Sequence, residues 1–157
     1  MVDTTTIVPF RQEFSDAFAR LNQEWIEQFF TMEESDLKML RDPQSILSSG
    51  GQIFFALDGT TPVGTVAAVR QSDAVFELAK MAVRPSHQGR GLGERLGRAA
   101  IQHARECGAA MMFLETNDTL QNAIRLYVAL GFVHAPRPRP SPYERSNVYM
   151  ELRFLTQ

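Results

Sequence analysis

Three alternating glycines, Gly89, Gly91 and Gly93, follow an apolar stretch and precede a helical pattern. Glycine lacks a Cβ atom, so a chain with this spacing can bend sharply and turn several backbone N–H groups toward one point. The positive end of the dipole of the following helix lies at the same point. The chemistry that this arrangement favours is the binding of a phosphate or pyrophosphate group.

The residues around the glycines distinguish between the known phosphate-binding loops. A Walker loop ends in Gly-Lys-Ser/Thr, whereas Gly93 is followed by Glu94. A dinucleotide-binding fingerprint reads Gly-x-Gly-x-x-Gly, and neither Glu94 nor Leu96 supplies its third glycine. The pattern that is left is Gln88-x-x-Gly91-x-Gly93, and its alternative interpretation is a plain turn at the start of a helix.

A strand before the loop and a helix after it must hold the glycines in place. The apolar run Val75–Val83 predicts the strand, and the helix that follows has an apolar face and ends at Gly108. Ala110–Glu115 predicts a further buried strand. Thr119 is predicted to cap the next helix, which ends at Gly131.

The rest of the chain predicts a first strand over residues 4–10, two helices and an antiparallel hairpin. Thr31-x-x-Glu34 is typical of a capping box for the second helix, and Asp42-Pro43 ends that helix. The hairpin strands are Gln52–Leu57 and Val63–Arg70, and Asn147–Leu155 alternates as the last strand. The first helix, over about residues 12–30, has an apolar stripe that we interpret as core, formed by Phe14, Phe18, Leu21, Trp25 and Phe29.

Two motifs resemble those of one family. Gln88-x-x-Gly91-x-Gly93 resembles the acyl-CoA pyrophosphate motif of the GCN5-related N-acetyltransferases (GNAT), and Asn122-x-x-x-x-Tyr127-x-x-x-Gly131-Phe132 is similar to a second signature of that family. The resemblance covers residues 5–155 in element order and residues 77–132 in motif detail. It implies an α/β (α+β) fold with a mixed central sheet of about seven strands flanked by four helices. It also implies a single N-acetyltransferase domain over residues 1–157.

The same resemblance implies a binding site for acetyl-CoA, as co-substrate, and no metal. The backbone at the end of the strand would pair with the pantetheine arm as an added strand, and the loop would hold the pyrophosphate. The residues that the resemblance assigns to the cofactor are Met81, Ala82, Val83, Gln88, Gly89, Arg90, Gly91, Leu92, Gly93 and Asn122.

Amine acetylation needs a base for the amine and an acid for the departing thiolate. In the histone acetyltransferase branch of the family, a strand glutamate at the position of Glu77 is the base. Simple alternation would place Glu77 and Met81 on one side of the strand, where apolar neighbours would raise the pKa of Glu77 unless a bulge turns it away. The alternative is a solvent-paired carboxylate. Tyr127 has the family's general-acid position, and its alternative role is that of a core aromatic residue.

For the acceptor, the resemblance indicates a pocket between the first two helices and the last hairpin. One wall is acidic, with Glu24, Glu27, Glu33 and Glu34, and the other is basic, with Arg137, Arg139 and Arg145. We therefore expect a small amine that also bears a carboxylate, with Arg145 binding the carboxylate and Tyr143 and Glu27 beside the acceptor. A polyamine is the competing acceptor, and a surface salt bridge is the alternative role of Arg145.

Composition limits the remaining possibilities. The chain has 157 residues, 44% of them hydrophobic, and a net charge of −2, which favours one globular domain and gives no reason to expect nucleic-acid or membrane binding. Cys107 is the only cysteine, so no intrachain disulfide can form, and three histidines lack metal-ligand spacing. No signal peptide or run of about 18 apolar residues is apparent, so we expect a cytoplasmic protein.

The predicted function is acetyl transfer from acetyl-CoA to a primary amine of a small molecule or peptide, by direct attack without a covalent enzyme intermediate. Two alternatives stay open: a non-catalytic CoA-binding or sensory module, and a transferase of a longer acyl group. The acceptor and the oligomeric state are not fixed by the sequence, and a homodimer is one assembly that we consider.

Overall fold

A seven-stranded mixed sheet forms the centre of the computed structural model, which describes residues 3–155. In chain order the strands are β1 (Thr5–Pro9), β2 (Gln52–Asp58), β3 (Thr61–Arg70), β4 (Val75–Val83), β5 (Met111–Thr116), β6 (Val133–His134) and β7 (Val148–Arg153). Their order in the sheet is β1-β2-β3-β4-β5-β7-β6, and only β4 and β5 are parallel neighbours. The predicted seven-stranded mixed sheet is confirmed.

Within residues 3–155, five helices flank the sheet, one more than the sequence predicts. They are α1 (Ser15–Phe29), α2 (Glu34–Arg41), α3 (Pro43–Ser48), α4 (Leu92–Glu106) and α5 (Gln121–Leu130), with 3₁₀ turns at Gln12–Phe14 and Pro85–His87. The additional helix is α3. Pro43 ends α2 as predicted, but it also occupies the first turn of α3, where a missing N–H costs nothing, and Asp42 caps α3 by accepting the Ser45 N–H.

Two helix caps differ from the prediction because local hydrogen bonds use other residues. In α2 the capping box is formed by Glu33 and Asp36, not by Thr31 and Glu34, and the Asp36 carboxylate accepts the Glu33 N–H at 2.9 Å. At α5 the N-cap is Leu120, which has no side-chain cap.

The side chain of Thr119 does not cap α5. Its hydroxyl donates instead to the side chain of Asn117, in the turn before the helix.

The core has two parts, one on each face of the sheet. On one face, Leu92, Leu96 and Ala100 of α4 pack against Phe76 and Leu78 of β4. On the other face, Phe18 and Leu21 of α1 pack against Ile53 and Phe55 of β2. Burial of each large side chain of this kind stabilises the fold by roughly 1.5–3 kcal/mol. The helices therefore hold the sheet, and β4 at its centre, from both sides.

Strands β4 and β5 pair over only three residues and then separate. The last pair joins Glu77 to Phe113, after which β5 continues to pair with β7 alone. From Leu78 to Val83, one edge of β4 consequently has no neighbouring strand. This opening in the sheet positions the candidate site.

A β-bulge interrupts β4 within the unpaired stretch Leu78–Val83. Thr65 and Ala67 of β3 face Ala82 and Ala79, so β4 carries one extra residue, and Lys80 takes a positive φ of 55°. The extra residue reverses the alternation of the strand. Met81 therefore packs on the α4 side of the sheet, whereas simple alternation from Glu77 predicted that both would share one side.

Candidate active site

The glycine loop runs from Gln88 to Gly91 and delivers the chain into α4. Gly89 and Gly91 have φ values of +77° and +79°, in the left-handed region that favours glycine, and Gly91 is the N-cap of α4. A Cβ atom at either position would meet no atom within 4 Å, so the backbone conformation, and not crowding, accounts for these two glycines. Gly93 differs, because its Cβ would lie 3.0 Å from Leu126 of α5.

The start of α4 presents backbone donors to this loop. The first helical bond runs from the Arg95 N–H to the Gly91 carbonyl, which leaves the N–H groups of residues 92–94 without a helical acceptor. The Gln88 amide braces the loop by donating to the Val83 carbonyl at 2.9 Å. The N–H groups and the helix dipole together suit an anion such as a pyrophosphate.

A cavity of about 520 Å³ extends from the loop along the open edge of β4 to α5 and α1. A ligand as long as the cavity could pair with the free backbone groups of β4 as an added strand does. Every residue predicted for the cofactor lines this cavity except Arg90, whose side chain is exposed. The predicted residues that line it are Met81, Ala82, Val83, Gln88, Gly89, Gly91, Leu92, Gly93 and Asn122.

Two aromatic residues of α1 that were interpreted as core line the large cavity. Trp25 is half-buried and Phe29 is 52% exposed, and their rings lie 5.3 Å apart. Trp25 also packs against the core on the α1 face of the sheet, as predicted. The core interpretation was wrong for Phe29, because the last turn of α1 extends past the sheet core to the opening beside β4.

A second, smaller cavity of about 90 Å³ lies between α1, β4 and the loop that precedes β7. Trp25, Met81, Leu120 and Tyr127 line both cavities. The smaller cavity also contains Glu77, Lys80, Glu115, Tyr143 and Arg145. The two cavities therefore meet at Tyr127, with the glycine loop on one side and most of the charged side chains on the other.

Tyr127 is half-buried, and its ring packs edge-on against Phe132 at 6.4 Å. Burial raises the pKa of its phenol to about 12. Within residues 3–155, no protein group forms a hydrogen bond with the hydroxyl of Tyr127, a residue that lines both cavities. The hydroxyl is thus a neutral proton donor at physiological pH.

Glu77 lies on β4 before the bulge, on the wall of the small cavity. Burial and the negative charge of Glu115 raise its pKa to about 7, although the positive charge of Lys80 and a hydrogen bond of 3.0 Å from the Gln71 amide act in the opposite direction. A carboxyl group with this pKa can both accept and release a proton near neutral pH. The bulge follows Glu77 and so does not turn it away from the cavity.

Arg145 is paired with two carboxylates of the protein. Its guanidinium donates to Asp36 at 2.6 and 2.7 Å and to Glu33 at 3.1 Å. The structure therefore has the salt bridge that was the alternative to a substrate contact. The pair is buried rather than on the surface, because the Asp36 side chain has no exposed area.

Of the other two residues predicted for the acceptor, one lies in the small cavity and one does not. Tyr143 lines it, and burial together with the charge of Glu77 raises the pKa of its phenol. Glu27 lies on the exposed face of α1, where it accepts a hydrogen bond from Gln23, and lines neither cavity. The acceptor role of Glu27 was therefore wrong, because helical periodicity turns it away from Trp25 and Ile26.

Two charged residues that line the small cavity, Lys80 and Glu115, were not predicted, nor was the Asp36 carboxylate that Lys80 binds. Lys80 donates to Asp36 at 2.5 Å, and its ammonium lies 4.5 Å from the centre of the Tyr143 ring. Glu115 pairs with Arg137 and accepts the Ser141 hydroxyl at 2.8 Å. Lys80 lies inside an apolar strand and Glu115 near the end of another, and such positions could have indicated both residues as site candidates. Asp36 has no such signal, because acidic residues are common at the start of helices.

Across residues 3–155, no group of three His, Cys, Asp or Glu side chains is arranged to hold a metal ion. No helix in this part of the chain is long and apolar enough to cross a membrane.

Comparison with known proteins places this arrangement in a family. The sequence profile of the "Acetyltransferase (GNAT) family" matches residues 16–132. The N-acetyltransferase 8F1 of Rattus norvegicus is 31% identical over 115 residues, which are 70% of this chain and 51% of that protein. The chain thus spans about half the length of this relative.

Two solved structures share the fold at lower identity. An acetyltransferase of the GNAT family from Staphylococcus aureus Mu50 has a TM-score of 0.86 at 20% identity, covering 95% of this chain and 98% of that one. YncA from Salmonella typhimurium, a putative acetyltransferase with its cofactor acetyl-CoA, has a TM-score of 0.78 at 20% identity, covering 96% and 94%. From the profile match over most of its length and the shared fold, this chain belongs to the GNAT acetyltransferase family.

Proposed function

We propose that this protein transfers an acetyl group from acetyl-CoA to a primary amine of a small molecule or peptide. The observation that carries the proposal is the position of Tyr127, which joins a long cavity ending at an anion-binding loop to a small cavity containing Glu77. A thioester at this junction would have its sulfur and its carbonyl between a proton donor and a proton acceptor.

The long cavity fits acetyl-CoA in three respects. The N–H groups at the start of α4 suit the pyrophosphate, and the unpaired edge of β4 beyond Glu77 suits the amide groups of the pantetheine arm. The volume of about 520 Å³ is sufficient for much of an elongated cofactor. Acetyl-CoA is bound by YncA, whose fold this chain shares.

Glu77 is the proposed base. An alkyl ammonium with a pKa of about 10.4 is almost entirely protonated at neutral pH, so the amine must lose a proton before it attacks. Glu77, with a pKa raised to about 7, is ionised just above neutral pH and can accept that proton directly or through a water molecule.

Tyr127 is the proposed acid. When the amine nitrogen forms its bond to the carbonyl carbon and the C–S bond breaks, the thiolate of CoA needs a proton. The pKa of a thiol is about 8.5, and that of the Tyr127 phenol is higher. The phenol therefore holds its proton until negative charge develops on sulfur. Cys107 is exposed at the end of α4 and lines neither cavity, so an acetyl-cysteine intermediate has no support.

The test measures binding and transfer separately. Calorimetry gives the affinity for acetyl-CoA, and release of the CoA thiol in the presence of a panel of primary amines gives turnover. We expect both. Acetyl-CoA binding with no amine turnover would contradict the proposal and favour a non-catalytic CoA-binding module, and faster turnover with longer acyl-CoA donors would contradict acetyl as the transferred group.

A further inference from the structure

Each charged side chain that lines the small cavity is already paired with another charged residue of the protein, with one exception among residues 3–155. Lys80 and Arg145 are bound to Asp36, and Arg145 also to Glu33. Glu115 is bound to Arg137 and to the Ser141 hydroxyl.

Glu77 is the exception. Its hydrogen-bond partner is the neutral Gln71 amide, and within residues 3–155 it forms no ion pair. When Glu77 is ionised, the cavity and its direct partners contain four carboxylates, those of Glu33, Asp36, Glu77 and Glu115. They face three cations, those of Lys80, Arg137 and Arg145. The balance is one uncompensated negative charge.

We infer that the acceptor is a primary amine that enters the small cavity as a single positive charge and carries no carboxylate close to its nitrogen. The inference rests on the proposed function and names the substrate class for the same site. An ammonium would balance Glu77 and give up its proton to it. A second, negative group would find no free cation, because each cation there already binds a carboxylate of the protein.

The small volume of the cavity limits the part of the acceptor that this charge balance affects. A volume of about 90 Å³ holds on the order of six water-sized sites, so only the amine and the first few carbons of an acceptor fit. A carboxylate on the first or second carbon would lie in the same space as Glu77 and Glu115. Like charges at such distances repel strongly when little water separates them.

Displacement of a protein carboxylate does not offer an easy alternative. To bind a substrate carboxylate, Arg145 would have to release Asp36, whose side chain is fully buried and would still be held by Lys80. The Asn117 amide, which also lines the cavity, donates to the Arg145 carbonyl at 2.6 Å. Loss of one partner from a buried charged pair is costly because the other charge stays buried.

The uncharged part of the wall indicates the body of the acceptor. Trp25, Ile26 and Phe30 give the cavity an apolar wall beside its charged residues, and the Phe30 ring lies 5.7 Å from the Arg145 guanidinium. An alkyl or arylalkyl chain next to the amine would pack against these side chains and lose unfavourable contact with water. The predicted acceptor bearing a carboxylate for Arg145 is replaced by an amine of this kind.

The experiment compares matched amines that differ only in the carboxylate. The pairs are β-alanine with β-alaninamide and phenylalanine with phenylalaninol, assayed with the wild-type protein by thiol release at about pH 8. We expect kcat/KM to be at least about tenfold higher for the uncharged member of each pair. Equal rates, or a preference for the acids, would overturn the inference while leaving acetyl transfer established.

A different outcome of the same assay would contradict acetyl transfer itself. Bound acetyl-CoA with no turnover of any amine would defeat the proposed function and this inference with it.

A variant protein tests the charge balance. Glu115→Gln removes one carboxylate and frees Arg137 from its ion pair. The acids should then gain on their uncharged partners by severalfold, with acetyl-CoA affinity unchanged, and an unaltered ratio in a folded Glu115→Gln protein would count against the inference.

Discussion

Lys80 and Arg145 both donate to the same oxygen of Asp36, the Oδ1 atom, at 2.5 and 2.6 Å. Lys80 lies in the bulge of β4, Asp36 in the first turn of α2 and Arg145 in the loop before β7. Side-chain exposure is 5% for Lys80, none for Asp36 and 18% for Arg145. This shared carboxylate therefore ties three separate segments together at the wall of the small cavity.

Removal of the shared carboxylate should destabilise the fold. Burial alone would raise the pKa of Asp36, but hydrogen bonds from Arg145 and Lys80 outweigh it and lower the pKa to about 2. Asp36→Asn leaves Lys80 without a carboxylate partner and Arg145 with Glu33 alone, and we expect it to lower the free energy of unfolding by about 3 kcal/mol at neutral pH, measured by urea denaturation. The matched control is Asp73→Asn, which breaks the exposed ion pair with Arg70 and should cost less than about 1 kcal/mol. Similar losses in the two variants would contradict the prediction.

The Asp36 carboxylate also makes the stability of the protein depend on pH. The pKa of Asp36 is lower in the folded protein than in the unfolded chain, where it is near 3.8, so its stabilising contribution is present above about pH 4 and is lost as the pH falls toward 2. Urea denaturation between those pH values should show a smaller loss of stability in Asp36→Asn than in the wild type. Parallel curves would mean that Asp36 does not titrate in this range.

Gly91→Glu should weaken acetyl-CoA binding by at least about a hundredfold, because a carboxylate would lie where the N–H groups of α4 converge. Calorimetry measures the loss. Gly108→Glu is the control, since Gly108 ends the same helix with a similar φ of +83° and equally open surroundings. Both variants carry the strain of a left-handed side chain, so equal affinities would reject the loop as the pyrophosphate site.

Tyr127→Phe should lower kcat by roughly 10²–10⁴ with little change in acetyl-CoA affinity, because it removes only the proton donor. Tyr149→Phe is the matched control: Tyr149 is also buried, but its hydroxyl donates to Glu151 and it lines neither cavity. Near wild-type turnover in Tyr127→Phe would leave Tyr127 with a packing role only.

Glu77→Gln should lower kcat/KM by roughly 10–10³. Since the pKa of Glu77 is about 7, wild-type kcat/KM should rise as the pH passes through 7, and this rise should be absent in the variant. Glu106→Gln, at the exposed end of α4, is the control and should keep the wild-type profile. A variant that kept the rise near pH 7 would show that another group is the base.

The same substitution should stabilise the protein at alkaline pH. The pKa of Glu77 is higher in the folded protein than its ordinary value of 4.5, so the wild type loses stability as the pH rises from about 4.5 through 7, by about 3 kcal/mol in total. Glutamine does not titrate, and Glu77→Gln should therefore unfold at higher urea concentration than the wild type at about pH 8. The opposite shift would mean that the carboxylate is stabilised in the fold.

Local sequence signals located the glycine loop and the helix that follows it, whereas the position of the bulge in β4 was not predicted. The turn at Gly89 and Gly91 depends on backbone conformations that few other residues adopt, and the helix after it begins at Leu92, so spacing alone located this region. The bulge at Lys80 has no comparable signal, since the positive φ belongs to a residue that rarely adopts it.

The role of Arg145 depends on tertiary contacts. Its partners Glu33 and Asp36 are more than 100 residues away in the chain. The sequence alone was therefore compatible with either a substrate carboxylate or a protein carboxylate as the partner of Arg145. Trp25 and Phe29 continue the apolar periodicity of α1, and only the point at which the helix passes the sheet core decides that they line a cavity.

The separation of β4 from β5 after Glu77 has a consequence for how this chain can change. The large cavity takes most of its lining from residues 81–94 and 119–127, whereas the small cavity also has walls from residues 22–30 and 143–146. Residues 143–146 line the small cavity alone. Substitutions there can therefore alter the small cavity while the segment with the glycine loop stays unchanged.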